Sequence, residues 1–460
     1  MPLEIVLINP YELGRQPFGL AHPTAQLRAA GHQVRCIDLS QEKLTEDALK
    51  DADLIAIQMA MHTATRIAEE ALPRIRKVAS KATLCAYGLY APINAGWLQQ
   101  AGITTILGGE FEPGLLALAA ALERGEPIQT SASTNLEKIT FSVPDRTTLA
   151  PLANHARLRE PDGTEITMGF ADASRGCKHL CRHCPVVPVY GGRFRIVPAD
   201  IVMADISQQV AAGAEHISFG DPDFLNGPTH ALRVARALHD EFPALTFDAV
   251  IKVEHVLNHA DILPELRACG LRFLISAVES VDNDILALLE KGHTNADFEQ
   301  AVALLRRLDI GLAPTFLAFT PWTTLTGYVT LLDTLARLEL VASVPPVQLA
   351  IRLLIPANSR LLELDEVQAL VGAFDQASLG HPWLHSDPRV DALQQAIEQL
   401  VSQEQEAPRA TLFAQIRALA YAAIGRSPAA MPPQPDIKLA HHTENWYCCA
   451  EPTQQQLSGW

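Results

Sequence analysis

The sequence predicts an α/β protein with a doubly wound N-terminal domain, a partial or full (β/α) barrel and a helical C-terminal region. Three observations carry this prediction. Short apolar runs alternate with helical patterns over residues 1–128, the alternation resumes over 166–365, and only helical periodicity remains from residue 366 onward. Alternating strands and helices build parallel sheets, because parallel neighbours need a crossover connection. The 460 residues fit about three domains.

The first array contains five strand-like runs. They are short and apolar, and they lie at 3–9, 33–38, 52–58, 82–87 and 103–107. Helical patterns separate them at 22–31, 63–78 and 113–125. Residues 129–165 are polar and irregular and contain Pro144, Pro151 and Pro161, so we expect a linker there.

The second array predicts the barrel over residues 166–365. Its strand-like runs lie at 215–219, 245–251, 271–278, 310–319 and 347–355. Helical stretches near 199–213, 229–241, 282–290, 296–309 and 325–340 follow them, as in a closed or nearly closed α/β barrel. We expect a helical C-terminal region over 366–440 and a flexible tail over 441–460.

Composition limits the function. Hydrophobic residues make up 48% of the chain and charged residues 19%, which allows a sizeable core. With 36 basic against 52 acidic residues, the formal charge of -16 disfavours binding to nucleic acid or to an anionic membrane surface. No apolar run approaches the length of a membrane span, and the first residues lack the basic and apolar regions of a signal peptide. We therefore expect a cytoplasmic protein with a small-molecule substrate.

Three cysteines carry the strongest chemical signal. Cys177, Cys181 and Cys184 follow the spacing Cys-x3-Cys-x2-Cys. Three thiolates on one loop can hold three irons of a [4Fe–4S] cluster and leave the fourth iron open to a ligand. The alternative is a zinc site in which these cysteines act with His179 or His183.

This triplet at the start of an α/β barrel resembles the signature of radical S-adenosylmethionine (SAM) enzymes. Ser174-Arg175-Gly176, just before the first cysteine, resembles the subfamilies that carry an N-terminal cobalamin-type domain. The resemblance covers about residues 1–365. It implies a [4Fe–4S] cluster held by the three cysteines, SAM as cofactor, and an electron donor such as flavodoxin or ferredoxin. In such enzymes the cofactors supply the radical chemistry and the protein positions them.

The same resemblance implies a SAM site at the carboxyl ends of the barrel strands. The positions that match the family are Phe219, Gly220, Asp221, Asp223, Lys252, Glu254, Glu279, Ser280 and Arg352. Glu279 and Ser280 match a Gly-x-Glu-Ser element in which Ala277 replaces the glycine.

Several of these positions have an alternative interpretation. Ser280 is equally suited to cap a helix, and Lys252 and Glu254 are also typical of solvated charges at a strand end. Arg352 lies in an otherwise apolar run and needs a partner if it is buried, for which the SAM carboxylate is one candidate.

The N-terminal domain resembles the cobalamin-binding domain found before many radical SAM barrels. Its stretch Gly108-Gly109-Glu110-Phe111-Glu112-Pro113 matches that domain's Gly-Glu-x-Glu pattern. The motif Asp-x-His-x-x-Gly is absent, and His22, His32 and His62 stand at none of its spacings. The sequence therefore leaves two alternatives: a domain that binds cobalamin, and a docking domain with an empty pocket.

The tail contains an adjacent cysteine pair, Cys448 and Cys449, in the sequence Cys-Cys-Ala-Glu-Pro. Adjacent cysteines are poorly placed for a disulfide, whereas vicinal thiols bind thiophilic elements well, so we expect a catalytic or substrate-binding pair. The ending resembles a radical SAM subfamily associated with biosynthesis of the organoarsenical antibiotic arsinothricin. It implies a transferase that joins the 3-amino-3-carboxypropyl group of SAM to arsenite and gives hydroxyarsinothricin.

Two other functions remain open from sequence. One is a cobalamin-dependent radical SAM methyltransferase acting on an unactivated carbon of a small molecule. The other is a non-catalytic iron–sulfur or zinc protein, which would not need the array of polar residues at the strand ends near Glu279.

Overall fold

The N-terminal domain is built on a parallel sheet. The computed structural model describes residues 1–404, 407–431 and 439–444. The strands of the first sheet are β1 (Glu4–Asn9), β2 (Gln33–Asp38), β3 (Leu54–Gln58), β4 (Thr83–Tyr87), β5 (Thr105–Gly109) and β6 (Ser131–Asn135). Its helices are α1 (Phe18–Ala29), α2 (Glu46–Leu49), α3 (His62–Val78), α4 (Tyr90–Ile93), α5 (Ala95–Gln100) and α6 (Glu112–Glu123).

The strand order is β2-β1-β3-β4-β5-β6, and all neighbours run parallel. Every residue of β3 is buried, as expected for a strand covered on both faces. Two separate hydrophobic clusters cover the sheet. The predicted doubly wound domain is therefore confirmed.

The predicted linker over 129–165 is more structured than its sequence indicates. It contains β6, which extends the first sheet, and β7 (Arg157–Arg159), which belongs to the second sheet. The sequence of β6 is Ser-Ala-Ser-Thr-Asn and its side chains are mostly exposed. An exposed edge strand is held by backbone hydrogen bonds, so it leaves no apolar pattern.

The second sheet is curled into a half-barrel. The remaining strands are β8 (Glu165–Ala171), β9 (Ser174–Gly176), β10 (Phe194–Ile196), β11 (His216–Phe219), β12 (Thr246–Val250), β13 (Leu271–Glu279), β14 (Gly311–Phe316) and β15 (His441–His442). The order is β14-β13-β12-β11-β8-β7-β15, with β8 and β11 to β14 parallel, while β9 and β10 form a separate hairpin. The predicted barrel is confirmed in its partial form.

Helices cover the outside of the half-barrel and form the C-terminal region. They are α7 (Val186–Tyr190), α8 (Ala199–Ala211), α9 (Pro228–Glu241), α10 (Val253–Asn258), α11 (Leu263–Ala268), α12 (Asn283–Leu288), α13 (Asn295–Arg307), α14 (Leu325–Arg337), α15 (Asp365–Leu370), α16 (Pro388–Gln403) and α17 (Arg409–Ala423). The apolar faces of α16 and α17 join the main core of the barrel. Across the described residues, no helix combines the length and apolar surface needed to cross a membrane.

The predicted strand over 347–355 is wrong. Residues Pro346–Leu349 form a 3-10 turn, and Arg352 makes an isolated parallel bridge to Phe319. Pro345 precedes the turn and Pro346 begins it, and proline has no N–H to donate to a strand.

The predicted tail over 441–460 begins inside the fold, because His441 and His442 form β15 against β7. Cys448 and Cys449 lie outside the described residues.

Candidate active site

The three cysteines lie on the loop between β9 and α7. Cys177 and Cys181 are buried, Cys184 is partly buried, and all three are free. The backbone N–H of Cys184 donates to the carbonyl of Cys181 at 3.1 Å, which folds the loop tightly. Burial raises the pKa of the Cys184 thiol to about 12, and Cys181 and Cys177 add to this. The three thiols therefore interact electrostatically with one another.

Gly176 is required directly before the first cysteine. Its φ is +73°, and a Cβ atom there would come within 2.4 Å of the Arg193 carbonyl oxygen. That carbonyl accepts the N–H of Cys177 at 3.1 Å. The close approach of the two backbone segments therefore positions the first cysteine. Any side chain at this position of Ser-Arg-Gly-Cys would clash with the backbone, so only glycine fits.

The N-terminal domain holds the cysteine loop through Arg175. The buried guanidinium donates to Glu112 at 2.7 Å and to Glu110 at 3.2 Å, and both acids come from the end of the first sheet. His22 Nδ1 lies 2.7 Å from Glu112. Burial raises the pKa of Glu112, but Arg175 and His22 outweigh burial and lower it to about 2. The Gly-Glu-x-Glu stretch thus binds the residue next to Gly176.

A second ionic group lies on the other side of the loop. Glu279, at the end of β13, accepts from His183 Nε2 at 3.1 Å and from the buried Lys291 Nζ at 3.3 Å. Burial raises the pKa of Glu279, but Lys291 and His183 outweigh it and bring the pKa to about 2. Cys181 and Cys184 also interact electrostatically with Lys291. This group therefore carries a carboxylate and an ammonium beside the thiols.

A third group surrounds Asp223, which follows β11. Its Oδ2 atom lies 2.8 Å from His255 Nδ1 and 3.7 Å from His179 Nε2. Lys252 Nζ contacts Glu254 at 3.2 Å, and Glu254 lies 3.6 Å from His179. The structure thus brings three predicted SAM contacts, Asp223, Lys252 and Glu254, together with two histidines. These histidines are His179 and His255.

The other predicted contacts have structural partners. Asp221 is buried and accepts from Ala173 N at 2.9 Å and Ser174 Oγ at 2.5 Å, and burial raises its pKa to about 7. Ser280 Oγ accepts from the N–H of Asp282, which is the residue that caps α12. Gly220 N donates to the Ala171 carbonyl at 3.0 Å.

Two predicted SAM contacts lie elsewhere. Phe219 is fully buried and packs on the rings of Phe224 and Phe247, so it belongs to the core. Arg352 donates to Asp391 of α16 at 2.6 Å and stacks on Trp383. Arg352 is partly buried, and its charge is paired with a protein carboxylate.

Sequence reasoning missed His255, Lys291 and His293 in this site. His293 is buried, and among the described residues neither ring nitrogen has a hydrogen-bond partner. His183 Nδ1 also lacks one there. Buried polar atoms normally have partners, so these atoms suit a polar ligand. The sequence feature that could have indicated Lys291 and His293 is the run Lys291-Gly292-His293, which follows an apolar helix.

Comparison with known families identifies this arrangement. Residues 173–320, which contain the cysteine loop and strands β9 to β14, match the family profile of the radical SAM superfamily. The chain carries a radical SAM domain. The cofactors of such a domain are a [4Fe–4S] cluster and SAM, and it acts on a substrate together with SAM.

Curated relatives of the radical SAM domain are distant. The tRNA-2-methylthio-N(6)-dimethylallyladenosine synthase of Haemophilus influenzae (strain PittEE) is 25% identical over 199 residues, 40% of this chain and 40% of that protein. Hopanoid C-3 methylase of Methylococcus capsulatus (strain ATCC 33009 / NCIMB 11132 / Bath) is 22% identical over 323 residues, 67% of this chain and 62% of that protein. The chain thus spans about two fifths of the first relatives' length.

Solved structures share the fold more widely. The cobalamin-dependent SAM radical enzyme OxsB, with aqua-cobalamin and SAM bound, gives a TM-score of 0.71 at 15% identity and covers 88% of this chain and 67% of that chain. The radical SAM methyltransferase TsrM from Kitasatospora setae, with tryptophan and a SAM analog, gives 0.66 at 16% identity and covers 93% of this chain and 96% of that chain. At these identities the likeness concerns the fold.

The residues present fit two of the three cofactors under consideration. Three free, adjacent thiols match the soft ligands of an iron–sulfur cluster, and the unpartnered polar atoms beside them suit SAM. His22, His32 and His62 are all buried inside the N-terminal domain, and His22 is bound to Glu112. They do not fit a histidine-ligated cobalamin.

Proposed function

We propose that this radical SAM protein transfers the 3-amino-3-carboxypropyl group of SAM to arsenite, with Cys448 and Cys449 presenting the arsenic. The observation that carries the proposal is the position of the last described residues, which line a cavity inside the curled sheet: Leu439, Ala440, His441, His442 and Glu444. Cys448 follows Glu444 by four residues, and four extended residues reach about 14 Å. The chain between Glu444 and Cys448 is therefore short enough for the proposal to assign the two thiols to this cavity.

The chemistry of the tail supports the same substrate. Trivalent arsenic is thiophilic, and two vicinal thiolates replace its hydroxyl groups. When bound, the reduced cluster supplies the electron that opens a carbon–sulfur bond of SAM. In net terms that bond breaks, an arsenic–carbon bond forms, methylthioadenosine leaves and one proton is released. Arsenic loses two electrons and the cleaved carbon–sulfur bond takes up two, so the electron that the cluster would supply would return to it, and the net reaction consumes neither an oxidant nor a reductant.

The described residues then have distinct roles. Cys177, Cys181 and Cys184 hold the cluster. Glu279 is ionised at neutral pH, because its pKa is about 2, and accepts hydrogen bonds from SAM. Asp223, whose Oδ2 atom lies 2.8 Å from His255 Nδ1, offers a second acceptor on the opposite side of the loop.

The nucleoside product tests this function. We would reconstitute the cluster anaerobically, add SAM and reductant with and without arsenite, and identify the nucleoside by chromatography and mass. We expect methylthioadenosine that depends on arsenite. The double variant Cys448→Ser, Cys449→Ser should lose the product and keep the cluster, whereas Cys269→Ser, at a buried cysteine beyond α11, should keep both.

Two results would contradict the proposal. Formation of 5′-deoxyadenosine in place of methylthioadenosine would exclude aminocarboxypropyl transfer. An undiminished arsenical product in the double variant would remove the tail from the reaction.

A second candidate is a cobalamin-dependent methyltransferase. It is favoured by the fold likeness to OxsB and TsrM, whose structures hold cobalamin. It requires a cobalamin bound without a histidine ligand from His22, His32 or His62. Purified protein that takes up cobalamin, seen as its visible absorption, and forms S-adenosylhomocysteine would favour it over the arsenite reaction.

A further inference from the structure

One side of the cysteine loop faces solvent. The outer face, defined as Lys178, Leu180, Arg193 and Ile196, consists of exposed side chains. Lys178 directly follows the first cysteine of the loop, and Leu180 directly precedes the second. The carbonyl of Arg193 accepts the N–H of the first cysteine at 3.1 Å. The outer face therefore lies directly outside the residues that hold the cluster.

Contacts along the β9–β10 hairpin join three of these side chains. Leu180 lies against the turn of the hairpin, because a Cβ atom on Gly192 would come within 3.2 Å of its Cδ2 atom. Lys178 Nζ lies 4.8 Å from the ring centroid of Phe194. Phe194 and Ile196 are two residues apart on β10, so they share one side of that strand. The lysine and the apolar side chains thus form one continuous surface.

The apolar part of the outer face is unusually accessible. Leu180 and Ile196 are each 46% exposed. Among the described residues, the other strongly exposed large apolar side chains are Met1, Leu384 and Leu419. Protein interfaces combine an apolar centre with a polar rim. The outer face has this composition beside the cluster.

The outer face is positive although the chain is acidic, with a formal charge of -16. Lys178 and Arg193 are exposed, and within the part of the chain that the structure describes neither forms an ion pair. Glu290, next to the loop, is already paired with Arg182 at 2.6 Å and with Arg360 at 2.8 Å. The outer face therefore attracts an acidic partner that the net charge of the chain repels.

We propose that the outer face is the docking site of an acidic one-electron carrier protein of the flavodoxin type. The inference rests on the proposed function, in which the reduced cluster supplies an electron to SAM. The flavodoxin hydroquinone loses one electron and the oxidised cluster gains it, and no proton or other group is transferred.

The chemistry of the carrier matches the outer face. A flavodoxin exposes the methylated, apolar edge of its flavin within a ring of acidic side chains. That edge suits the apolar pair Leu180 and Ile196, and the acids suit Lys178 and Arg193. Electron-transfer complexes bury less than about 1,200 Å² in total, so a face of few side chains is sufficient.

The rate of cluster reduction tests the docking without turnover of SAM. Reconstituted full-length protein, free of SAM, would be mixed with flavodoxin hydroquinone by stopped flow, and the loss of cluster absorption would be followed. We expect the second-order rate constant to fall about tenfold or more between about 50 mM and about 1 M salt, where the screening length is only about 3 Å.

Charge reversal locates the docking site. The double variant Lys178→Glu, Arg193→Glu should be reduced about tenfold more slowly than wild type at low salt and equally fast at high salt. The matched control is Lys77→Glu, Arg307→Glu, which makes the same charge change at exposed positions. These residues lie at the carboxyl ends of α3 and α13, at the opposite edge of the sheets from the cysteine loop. The control should change the rate less than about twofold.

Two further measurements separate docking from effects on the cluster. Leu180→Ser, Ile196→Ser should slow reduction about fivefold at high salt as well as low, because salt does not screen apolar contact, and Leu384→Ser should not. Photoreduced methyl viologen is a small cation that needs no docking site. It should reduce every variant at least as fast as wild type, and the iron content should stay unchanged.

The possible outcomes separate this proposal from the arsenite reaction. A wild-type rate constant that is independent of salt, or a charge control as slow as the outer-face variant, would overturn the docking site. Slower reduction of the outer-face variant by methyl viologen would also overturn it, since the substitutions would then act on the cluster. Reduction through this face by a reduced ferredoxin but not by flavodoxin would overturn the choice of carrier. Normal reduction by flavodoxin without arsenite-dependent methylthioadenosine would overturn only the arsenite reaction.

Discussion

Replacement of Glu112 by glutamine tests the contact between the N-terminal domain and the cysteine loop. The carboxylate of Glu112 binds Arg175 at 2.7 Å, and its pKa of about 2 compares with an ordinary value of 4.5. Each pKa unit corresponds to about 1.4 kcal/mol, so the charge contributes about 3 kcal/mol to folding at neutral pH. We expect Glu112→Gln to lower the free energy of unfolding by about that amount.

The pH dependence follows from the direction of the shift. A pKa lowered in the folded state gives stability that is present above pH 4.5 and lost as the pH falls toward 2. The difference between wild type and Glu112→Gln should therefore shrink by more than half by about pH 3. Burial raises the pKa of Glu110 and the charge of Glu112 adds to this, so Glu112→Gln also relieves a repulsion and about 3 kcal/mol is an upper bound for the loss.

The assay is urea unfolding of the cluster-free full-length chain, followed by circular dichroism across this pH range. Glu123→Gln is the matched control, because Glu123 ends the same helix and is exposed. We expect it to cost less than about 0.5 kcal/mol. The reasoning is refuted if the two variants unfold alike at neutral pH, or if the loss in Glu112→Gln is independent of pH.

Three further predictions concern the site and its support. Cys181→Ser should abolish iron and sulfide loading while circular dichroism stays unchanged; full loading would contradict the cluster assignment. Lys291→Met removes the main cation beside Glu279, so the glutamate pKa should rise and the KM for SAM should increase as the pH falls below neutrality, whereas a flat KM profile would exclude a role for the glutamate charge. Phe247→Ala leaves a cavity among the packed rings of the core and should destabilise the protein by about 3–5 kcal/mol, measured by urea unfolding against an exposed control, Leu384→Ala.

The elements that sequence predicted well are those whose side chains carry a pattern. The strand β3 is apolar throughout, and the helix α3 has a regular apolar face, so both were visible. The strands β6 and β15 were not, because an edge pairing of two to five residues is held by backbone groups common to every sequence. The run at 347–355 shows the converse error, since its apolar residues cover the core without forming a strand.

In the candidate site, too, the local features were predictable from the sequence and the long-range contacts were not. The spacing of the three cysteines is local, so the sequence alone indicated it. The partners of Glu279 are His183 and Lys291, which lie 96 residues before it and 12 after it. Such contacts depend on how the strand ends converge, and no spacing rule encodes them. A charged residue in an apolar run only signals that some partner exists, as the partly buried Arg352 shows by pairing with Asp391.

The Gly-Glu-x-Glu stretch has a function in this chain that does not require cobalamin. Glu110 and Glu112 both bind Arg175, and Arg175 is separated from Cys177 by the single residue Gly176. Any displacement of the two acids therefore acts on the first cysteine through one rigid turn. We conclude that the stretch clamps the cysteine loop to the N-terminal domain. In this chain the stretch is therefore accounted for by that contact, and cobalamin has to be argued from a pocket and a ligand of its own.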